Sequence, residues 1–454
     1  MRRSPALLLF VLTVSLLGGR GFDLGRLGAP GFGPDGPAPG NLVADVRQRL
    51  DRAGVDPLEA APTVSAALFD LGQALAFDKI LSGNRDLSCM TCHHPSLGSD
   101  DDRTLPAGAG ATGLGSARRH PDGVHIPRNA PALFNLHSYE TMFWDGRVEV
   151  DGGGLRTPAG SAITPTMKAV FDHGVVSAQA MFPVTSAAEM RGLPGSNELA
   201  NLADDDFAGI WAGLMTRLGD VPTYRQMFEA AYPGESFNSM TFAHAANAIA
   251  AFEVAGFESR GSPLQAFLAG DDGALDATEL RGAQAFFRAD CDECHAGEQL
   301  SDFDHHNTGL AQLGPGAGHG PGGRDDYGRE GVTGRTQDRY RFRTTPLHNV
   351  ELTGPYSHAG QLQDLDDVID HYDRPDRALR DYRVTAHVDD ASLHGTVLDN
   401  VDAVLGRLSN DLENGPVRER DEIVRFLQSM TDPDALDLRH LVPASVPSGL
   451  PVAD

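Results

Sequence analysis

Residues 64–81, VSAALFDLGQALAFDKIL, are closely followed by Cys89-Met90-Thr91-Cys92-His93, and the same plan returns later in the chain. Apolar residues recur at helical spacing in the first stretch, which predicts an amphipathic helix. Asp276, with Glu279 three residues later, has the pattern of a capping box that opens a second helix. This helix leads to Cys291-Asp292-Glu293-Cys294-His295. The chain therefore contains a duplicated unit of helix, short turn and Cys-x-x-Cys-His.

The two Cys-x-x-Cys-His motifs contain all four cysteines of the chain. Two thiols three residues apart can form thioethers with the two vinyl groups of one porphyrin, and the next histidine then becomes the proximal iron ligand. Zinc also binds Cys-x-x-Cys pairs, but zinc does not require the adjoining histidine. We therefore predict two covalently bound c-type haems and no disulfide. The predicted haem-binding residues are Cys89, Cys92, His93, Cys291, Cys294 and His295.

The rest of the chain indicates a mainly α fold. Residues Phe242 to Phe257 have the composition of a buried helix, and Arg418 to Met430 have the pattern of a terminal amphipathic helix. No alternating strand pattern of any length is present. Two Gly-rich stretches, Leu105 to Ala117 and Leu313 to Gly323, each follow a haem motif and are expected to be loops.

The chain has 454 residues and a formal net charge of −26. A nucleic-acid partner is not expected, because its recognition requires basic patches. An acidic surface suits a basic protein partner such as a small electron donor, and it also simply keeps an exported protein soluble. Both readings remain open.

The N-terminus has the pattern of a secretory signal. Arg2 and Arg3 precede an apolar run from Ala6 to Leu17, and small residues follow, with cleavage expected near Gly18 to Gly21. We therefore expect a periplasmic protein with no membrane span after cleavage. The predicted organisation is a signal peptide at 1–20, a flexible linker at 21–45, an N-terminal haem domain at 46–265, a C-terminal haem domain at 266–436 and an irregular tail at 437–454.

Further motifs resemble the bacterial di-haem cytochrome c peroxidase and MauG family. The similarity covers roughly residues 65–430 in the family's order. It implies two cytochrome c-like helical domains packed across a shared interface, with the peroxide-reacting haem on His93. The motifs that carry it, besides the two haem motifs, are RNAPALFN (128–135), FWDGR (143–147), FPVTSAAEM (182–190), HNTG (306–309) and FRTTPLHNVELTGPYSHAG (342–360).

The resemblance assigns two catalytic residues near the first haem. Glu189 matches the family's distal acid, which can shuttle a proton between the two peroxide oxygens. A solvated surface glutamate is the alternative. Trp144 matches the tryptophan that lies between the haems and can relay an electron or a hole. A core tryptophan that packs the interface is the other reading of Trp144, and both can hold together.

The ligand opposite His295 distinguishes the two branches of the family. The peroxidase branch has a methionine a few residues after Pro-Tyr-x-His-x-Gly. This chain has Tyr372 at that position, and the MauG-like branch also has a tyrosine there. A hard tyrosinate favours ferric and higher states, whereas a soft methionine stabilises ferrous iron. His371 and Met430 are rival ligands, and a packed tyrosine without an iron bond is the remaining alternative.

Other positions follow from the resemblance. His120 or His125 could ligate the first iron at rest, as in many peroxidases, whereas MauG-like proteins leave that position open. Asn129, Thr344 and Pro346 match the oxygen ligands of a calcium ion near the interface. The family's Leu-Arg-Asn is Leu347-His348-Asn349 here, so that a fixed charge near the second haem becomes a titratable one.

These observations predict a periplasmic, MauG-like di-haem oxidoreductase that uses hydrogen peroxide. It would oxidise a protein partner or a small electron donor through high-valent haem. A cytochrome c peroxidase that takes electrons from a small cytochrome is the first alternative. A non-catalytic di-haem electron carrier is the second.

Overall fold

A computed structural model describes residues 40–412 and 417–452. The predicted signal peptide and residues 21–39 of the predicted linker lie outside the described residues. The described chain is rich in helix, as expected from the sequence. Its helices are α1 (Gly40–Arg52), α2 (Ala66–Phe77), α3 (Cys89–Cys92), α4 (Pro165–Lys168), α5 (Gly174–Gln179), α6 (Phe207–Gly219), α7 (Pro222–Ala231), α8 (Phe242–Gly256), α9 (Pro263–Leu268), α10 (Ala277–Arg288), α11 (Glu330–Thr333), α12 (Leu365–Asp373), α13 (Pro375–Asp381), α14 (Val384–His387), α15 (Val401–Leu405) and α16 (Arg420–Gln428).

Short strands connect these helices. Strands β1 (Thr141–Met142), β2 (Val148–Asp151) and β3 (Gly154–Arg156) form an antiparallel sheet in that order. Strands β4 (His305–His306) and β5 (Phe342–Arg343) form an antiparallel pair. The sequence did not indicate these strands, because two to four residues are too few to establish an alternating pattern.

The first hydrophobic core lies around the pair formed by α2 and α8. Ser65 caps α2, and Leu71, Leu75 and Phe77 of α2 are buried. Gly72 permits a very close approach, because a Cβ built there would lie 1.9 Å from the carbonyl oxygen of Ala248 on α8. This packing fixes the helix that leads into the first haem motif.

The second core repeats this arrangement with α10 and α16. The predicted capping box is confirmed: Asp276 accepts the backbone N–H of Glu279 at 2.9 Å, and the Glu279 carboxylate accepts the N–H of Asp276 at 2.8 Å. A Cβ at Gly282 would lie 1.8 Å from the carbonyl oxygen of Glu422 on α16. The duplication predicted from the two motifs therefore extends to a matching helix pair behind each of them.

Each end of the described chain packs in the hydrophobic core of the other half. In α1, Val43, Val46 and Leu50 are buried in the second core. At the other end, residues of segment 435–446 belong to the first core. Residues 40–45, expected in a flexible linker, are thus helical, and part of the expected irregular tail is packed. The apolar spacing of α1 gives it a face to bury, and this outweighs the preceding Gly/Pro-rich composition.

Buried ion pairs join the two halves of the chain. Arg128 binds Asp145 at 2.6 Å and reaches Asp326 in the other half at 2.7 Å. Arg329 binds Glu149 of β2 at 2.7 Å. These charge-assisted bonds are directional and hold the segment that carries Trp144 against the C-terminal half. No helix among residues 40–412 and 417–452 is long and apolar enough to cross a membrane.

Candidate haem sites

A cavity of about 700 Å³ opens beside the first Cys-x-x-Cys-His motif. Cys89, Cys92 and His93 form one part of its wall, and Trp144 and Glu189 form another. Its volume lies in the range typical of cofactor sites. The C-terminal half closes part of it with the Gly-rich loop at 316–319, so the expected loop 313–323 has a defined place at the first site.

Both motif histidines are oriented as metal ligands. Nδ1 of His93 lies 3.2 Å from the carbonyl oxygen of Ser99, and Nδ1 of His295 lies 2.9 Å from that of Leu300. A hydrogen bond at Nδ1 fixes the ring and leaves Nε2 for a metal. Burial lowers the pKa of both imidazoles, which favours the neutral form that binds iron.

The four cysteine thiols are free in this structure. Together with the cavity and the two anchored imidazoles, they fit covalent attachment of one haem at each motif. At the second motif, ligand atoms of Cys294, Asp302 and His306 lie within 4.8 Å of one another. Asp302, whose carboxylate lies 2.8 Å from Nε2 of His306, and Cys294 raise the pKa of His306 to about 10.

Glu189 lies on a single π-helical turn, Ala187–Arg191, which Ser186 caps. Such π-helical turns are rare in proteins, and those that occur are often found at functional sites. The loop that follows the first motif supports this turn, because Ala109 donates its N–H to the carbonyl of Ala188 at 3.2 Å. Arg118, fully buried, ties that loop together by donating to three of its carbonyls.

The Glu189 carboxyl faces the first cavity rather than bulk solvent. Burial raises its pKa, and the positive charges of Arg147 and Arg128 oppose this shift without cancelling it. A carboxyl with a raised pKa holds an accepted proton more readily than an ordinary glutamate does. The geometry is therefore suited to the acid–base role that the resemblance implies, although that role remains a prediction.

Trp144 lines the first cavity and also a smaller cavity of about 70 Å³ at the interface. Its indole Nε1 donates to the carbonyl oxygen of Asn129 at 2.9 Å, and its own carbonyl accepts the N–H of Arg343 at 2.8 Å. The indole is thus held by the N-terminal half, and the backbone of Trp144 is held by the C-terminal half. This position suits either reading of Trp144, packing or electron relay.

Tyr372 and His371 are neighbours on α12 but have different surroundings. Burial raises the pKa of the Tyr372 phenol, and the charges of Cys294 and Cys291 raise it further, which places the phenol near both thiols. Nε2 of His371 instead lies 2.7 Å from the carbonyl oxygen of Thr308. Met430, the weaker rival, is buried in the second core.

The two candidate distal histidines lie away from the first cavity. Nδ1 of His120 accepts the N–H of Asp122 at 3.1 Å, and Nε2 of His125 lies 2.9 Å from the hydroxyl of Ser392. Neither residue belongs to the wall of the cavity, which includes the adjoining residues Ile126 to Arg128. The described structure therefore brings neither histidine to the first site.

The three predicted calcium ligands fit a cation only in part. Asn129 and Pro346 line the small interface cavity, and the amide nitrogen of Asn129 donates to the carbonyl of Arg103 at 3.0 Å. The carbonyl of Thr344, however, accepts bonds from the Ser301 hydroxyl at 2.9 Å and from Arg343 at 3.2 Å. A guanidinium at this oxygen repels a divalent cation.

His348, at the departure from Leu-Arg-Asn, does not replace the family's arginine as a charge. Its Nε2 lies 2.8 Å from the carbonyl oxygen of Glu298, and burial lowers its pKa. The imidazole is therefore neutral near pH 7. The fixed positive charge expected from the family is absent at this position.

Sequence reasoning missed two residues of the first cavity. Glu253 on α8 is 5 % exposed, and its Oε2 has no hydrogen-bond partner. Its signal was available, because it is a lone acid in an otherwise buried apolar helix. Arg343 also lines the cavity, and its guanidinium donates to the carbonyl oxygens of Phe143 and Thr344. Arg343 gave no signal, since only the fold brings β5 to the first motif.

The fold and the two attachment sites define a helical protein with two covalently bound haems. The family model of the di-haem cytochrome c peroxidases matches residues 66–273. Cytochrome c551 peroxidase of Pseudomonas aeruginosa is 32% identical over 300 residues, which is 66% of this chain and 70% of that protein. MauG of Methylorubrum extorquens is 29% identical over 331 residues, 73% of this chain and 75% of that protein.

Solved structures with the same fold cover most of both chains. The diheme peroxidase BthA from Burkholderia thailandensis has a TM-score of 0.58 at 20% identity, covering 87% of this chain and 92% of its own. A MauG-like protein associated with microbial copper homeostasis has a TM-score of 0.55 at 24% identity, covering 84% and 95%. This chain belongs to the di-haem cytochrome c peroxidase family. It is an oxidoreductase with two covalently bound c-type haems that acts on peroxide.

Proposed function

We propose that this protein is a MauG-like enzyme, which uses peroxide to oxidise a protein partner or a small electron donor. The observation that carries the proposal is the environment of Tyr372. Its phenol lies near the thiols of the second haem motif, and no methionine follows the Pro-Tyr-x-His-x-Gly motif within α12. The neighbouring His371 is directed to a backbone carbonyl instead.

The proposed chemistry at the first site begins with proton transfer by Glu189. When haem is bound there, it supplies an iron whose open position can take peroxide. The Glu189 carboxylate accepts a proton from the incoming peroxide and returns it to the departing oxygen. Burial favours this exchange by raising the pKa of Glu189, and Arg147 and Arg128 stabilise the ionised form.

Trp144 is proposed to connect the two sites. It belongs to the wall of the first cavity and to that of the interface cavity, so that its indole lies on a short path between the halves. Its bond to Asn129 holds the ring in one orientation. A fixed aromatic ring at this place shortens the distance over which an electron must pass.

Tyr372 is proposed as the ligand of the second iron, opposite His295. An anionic oxygen ligand stabilises the oxidised metal, whereas a thioether stabilises the reduced metal. The neutral His348 adds no positive charge at this end of the interface cavity, which it also lines. Both features favour a second haem that gives up electrons rather than one that stores them.

Tyr372→Phe and Tyr372→Met test the ligand, with His371→Gln as the matched control. In the ferric holoprotein, Tyr372→Phe is expected to change the optical and electron-spin-resonance signals of the second haem, and His371→Gln to leave them unchanged. Tyr372→Met is expected to raise the potential of that haem. If Tyr372→Phe leaves the spectrum intact while His371→Gln alters it, the assignment is wrong.

A cytochrome c peroxidase is the second candidate, and the 32% identical relative named cytochrome c551 peroxidase favours it. The two functions differ in what the enzyme needs before peroxide reacts. The MauG-like enzyme is expected to react with stoichiometric peroxide while fully ferric. A peroxidase needs prior reduction of one haem and then rapidly oxidises a reduced small cytochrome. Stopped-flow spectra of both starting states therefore decide between the two candidates.

We also propose export to the periplasm, on the basis of the N-terminal sequence pattern, and a calcium ion at the interface cavity. Asn129 and Pro346 would be its protein ligands, and Thr344 would join them only after Arg343 releases its carbonyl. Elemental analysis of purified holoprotein is expected to find one calcium ion per chain. The absence of calcium from active protein would exclude this site.

A further inference from the structure

The first haem unit contains a buried acid at a position where the second has an apolar side chain. A Cβ at Gly72 would meet Ala248 and Phe252 of α8, and a Cβ at Gly282 would meet Glu422 and Phe426 of α16. These contacts align α8 with α16 residue by residue. Ile249 then corresponds to Ile423, and Glu253 corresponds to Leu427.

The buried acid lowers the stability of the first unit relative to an apolar residue at the same position. Leu427 is 4 % exposed and packs in the second core, as a leucine in this place should. Glu253 is 5 % exposed, and its Oε2 is buried without a hydrogen-bond partner. A carboxyl buried in this way lowers stability unless it is uncharged. The fold therefore does not require an acid here, since its counterpart serves with an apolar side chain.

Glu253 belongs to the wall of the first cavity. It lines the cavity together with Cys89, Cys92 and His93. Burial is the main cause of the raised pKa of the Cys89 thiol, and the charge of Glu253 is the second cause. Glu189, in contrast, exerts its charge on Cys92. The two carboxyls thus lie beside different thiols of the same motif, so Glu253 is not a second copy of Glu189.

Burial alone raises the pKa of Glu253 to about 8. Among the described residues, no charged group offsets this shift and no donor is hydrogen-bonded to Oε2 of Glu253. The charged or titratable side chains that line the same cavity are Cys89, Cys92, His93, Arg128, Tyr139, Asp145, Arg147, Arg156, Glu189, His319 and Arg343. Those on elements packed against α8 are Asp70 and Lys168, which are exposed, His137, which is half-buried, and Arg217, which is bound to Glu198.

We propose that Glu253 is a redox-linked proton-binding residue of the first haem, which takes up a proton when that haem is reduced and releases it on oxidation. On reduction, one electron from the electron donor enters the site and one proton from solvent binds the Glu253 carboxylate. On oxidation both leave. The physical reason is that the loss of an electron adds positive charge beside the carboxyl, and a nearby positive charge favours its ionised form. The proposal rests on the haem being bound at Cys89 and Cys92, but not on the identity of the substrate.

The test is a spectroelectrochemical titration of the holoprotein from about pH 5 to about pH 10, a range that brackets an acid with a pKa near 8. In the unmodified protein the potential of the first haem is expected to fall by up to about 59 mV per pH unit near pH 8. Glu253→Gln keeps the shape of the side chain and is expected to remove this slope. The second haem serves as an internal control, and its slope should not change.

A control variant and a vibrational spectrum distinguish a proton-binding Glu253 from one that only packs in the cavity wall. Asp70→Asn is expected to keep the slope, because Asp70 is an exposed acid on α2, the helix packed against α8. Oxidised-minus-reduced infrared spectra should contain a protonated carboxyl band that is lost in Glu253→Gln. The proposal is overturned if Glu253→Gln retains the slope, or if Asp70→Asn removes it. Equilibrium potentials need neither peroxide nor partner, so these outcomes are independent of the peroxide assays above.

Discussion

Arg128 is the residue whose removal should weaken the protein most directly. Its guanidinium donates from Nε and Nη2 to both oxygens of Asp326, at 2.7 and 2.9 Å, and from Nη1 to Asp145 at 2.6 Å. Asp145 and Asp326 are buried, and the side chain of Arg128 is 12 % exposed. The substitution Arg128→Ala removes the only group among the described residues that binds both Asp145 and Asp326.

The size of the expected loss of stability depends on the partners that Asp145 and Asp326 keep after Arg128 is removed. Asp145 keeps Arg147 at 3.2 Å, whereas Asp326 loses a bidentate partner and retains mainly the N–H of Gly328 at 2.9 Å. A buried charge that loses its partner costs about 3–5 kcal/mol. We therefore expect the free energy of unfolding to fall by about 4 kcal/mol.

Urea denaturation of the holoprotein at pH 7, followed by circular dichroism, measures this loss. The matched control is Arg377→Ala, because Arg377 pairs with Asp381 on an exposed helix surface. That variant should cost less than about 1 kcal/mol. Arg128→Met combined with Asp326→Asn removes both charges and should recover part of the loss. A change below about 1 kcal/mol for Arg128→Ala would mean that Asp326 is not left as an uncompensated buried charge.

The structure supports three more predictions. Burial raises the pKa of Asp326, but Arg128 outweighs it and holds the pKa below its ordinary value; the stability that Asp326 contributes is thus full above about pH 4 and is lost as pH falls below that value. Unfolding measured against pH should show this loss, and Asp326→Asn should flatten it. Glu189→Gln should slow the reaction with peroxide by about 10²- to 10⁴-fold in stopped-flow traces and leave the far-ultraviolet circular dichroism unchanged. Gly282→Ala should destabilise the protein by about 1–3 kcal/mol in urea despite the better helix propensity of alanine, since its Cβ would collide with α16; a more stable variant would contradict this packing.

Local rules predicted most of the fold correctly. The capping box at Asp276, the buried helix after Phe242 and the terminal helix near Arg420 all appear where the sequence indicated them. These features depend on residues a few positions apart. The helix at 40–52 was missed because its apolar face is short and follows Gly- and Pro-rich sequence, and its partner helix is more than 200 residues away.

The candidate site divides in a similar way. Cys89, Cys92 and His93 carry a chemical requirement that their spacing alone expresses. The placement of Glu189 beside the same cavity depends on a π-helical turn and on a buried arginine in another loop. Glu253 is visible in the sequence as the lone acid of a buried apolar helix, but its place in the wall of the first cavity depends on how that helix packs.

The sequence by itself determined the cofactor chemistry, because the thioether bonds and the proximal ligand need residues within five consecutive positions. It also determined that two such units exist. Only the tertiary structure decided which distant side chains share a cavity with each motif, since that depends on how α8, α12 and β5 pack. That packing directs Tyr372 and His371, neighbours on one helix, to different surroundings. It also places Glu253 in the first unit where Leu427 stands in the second.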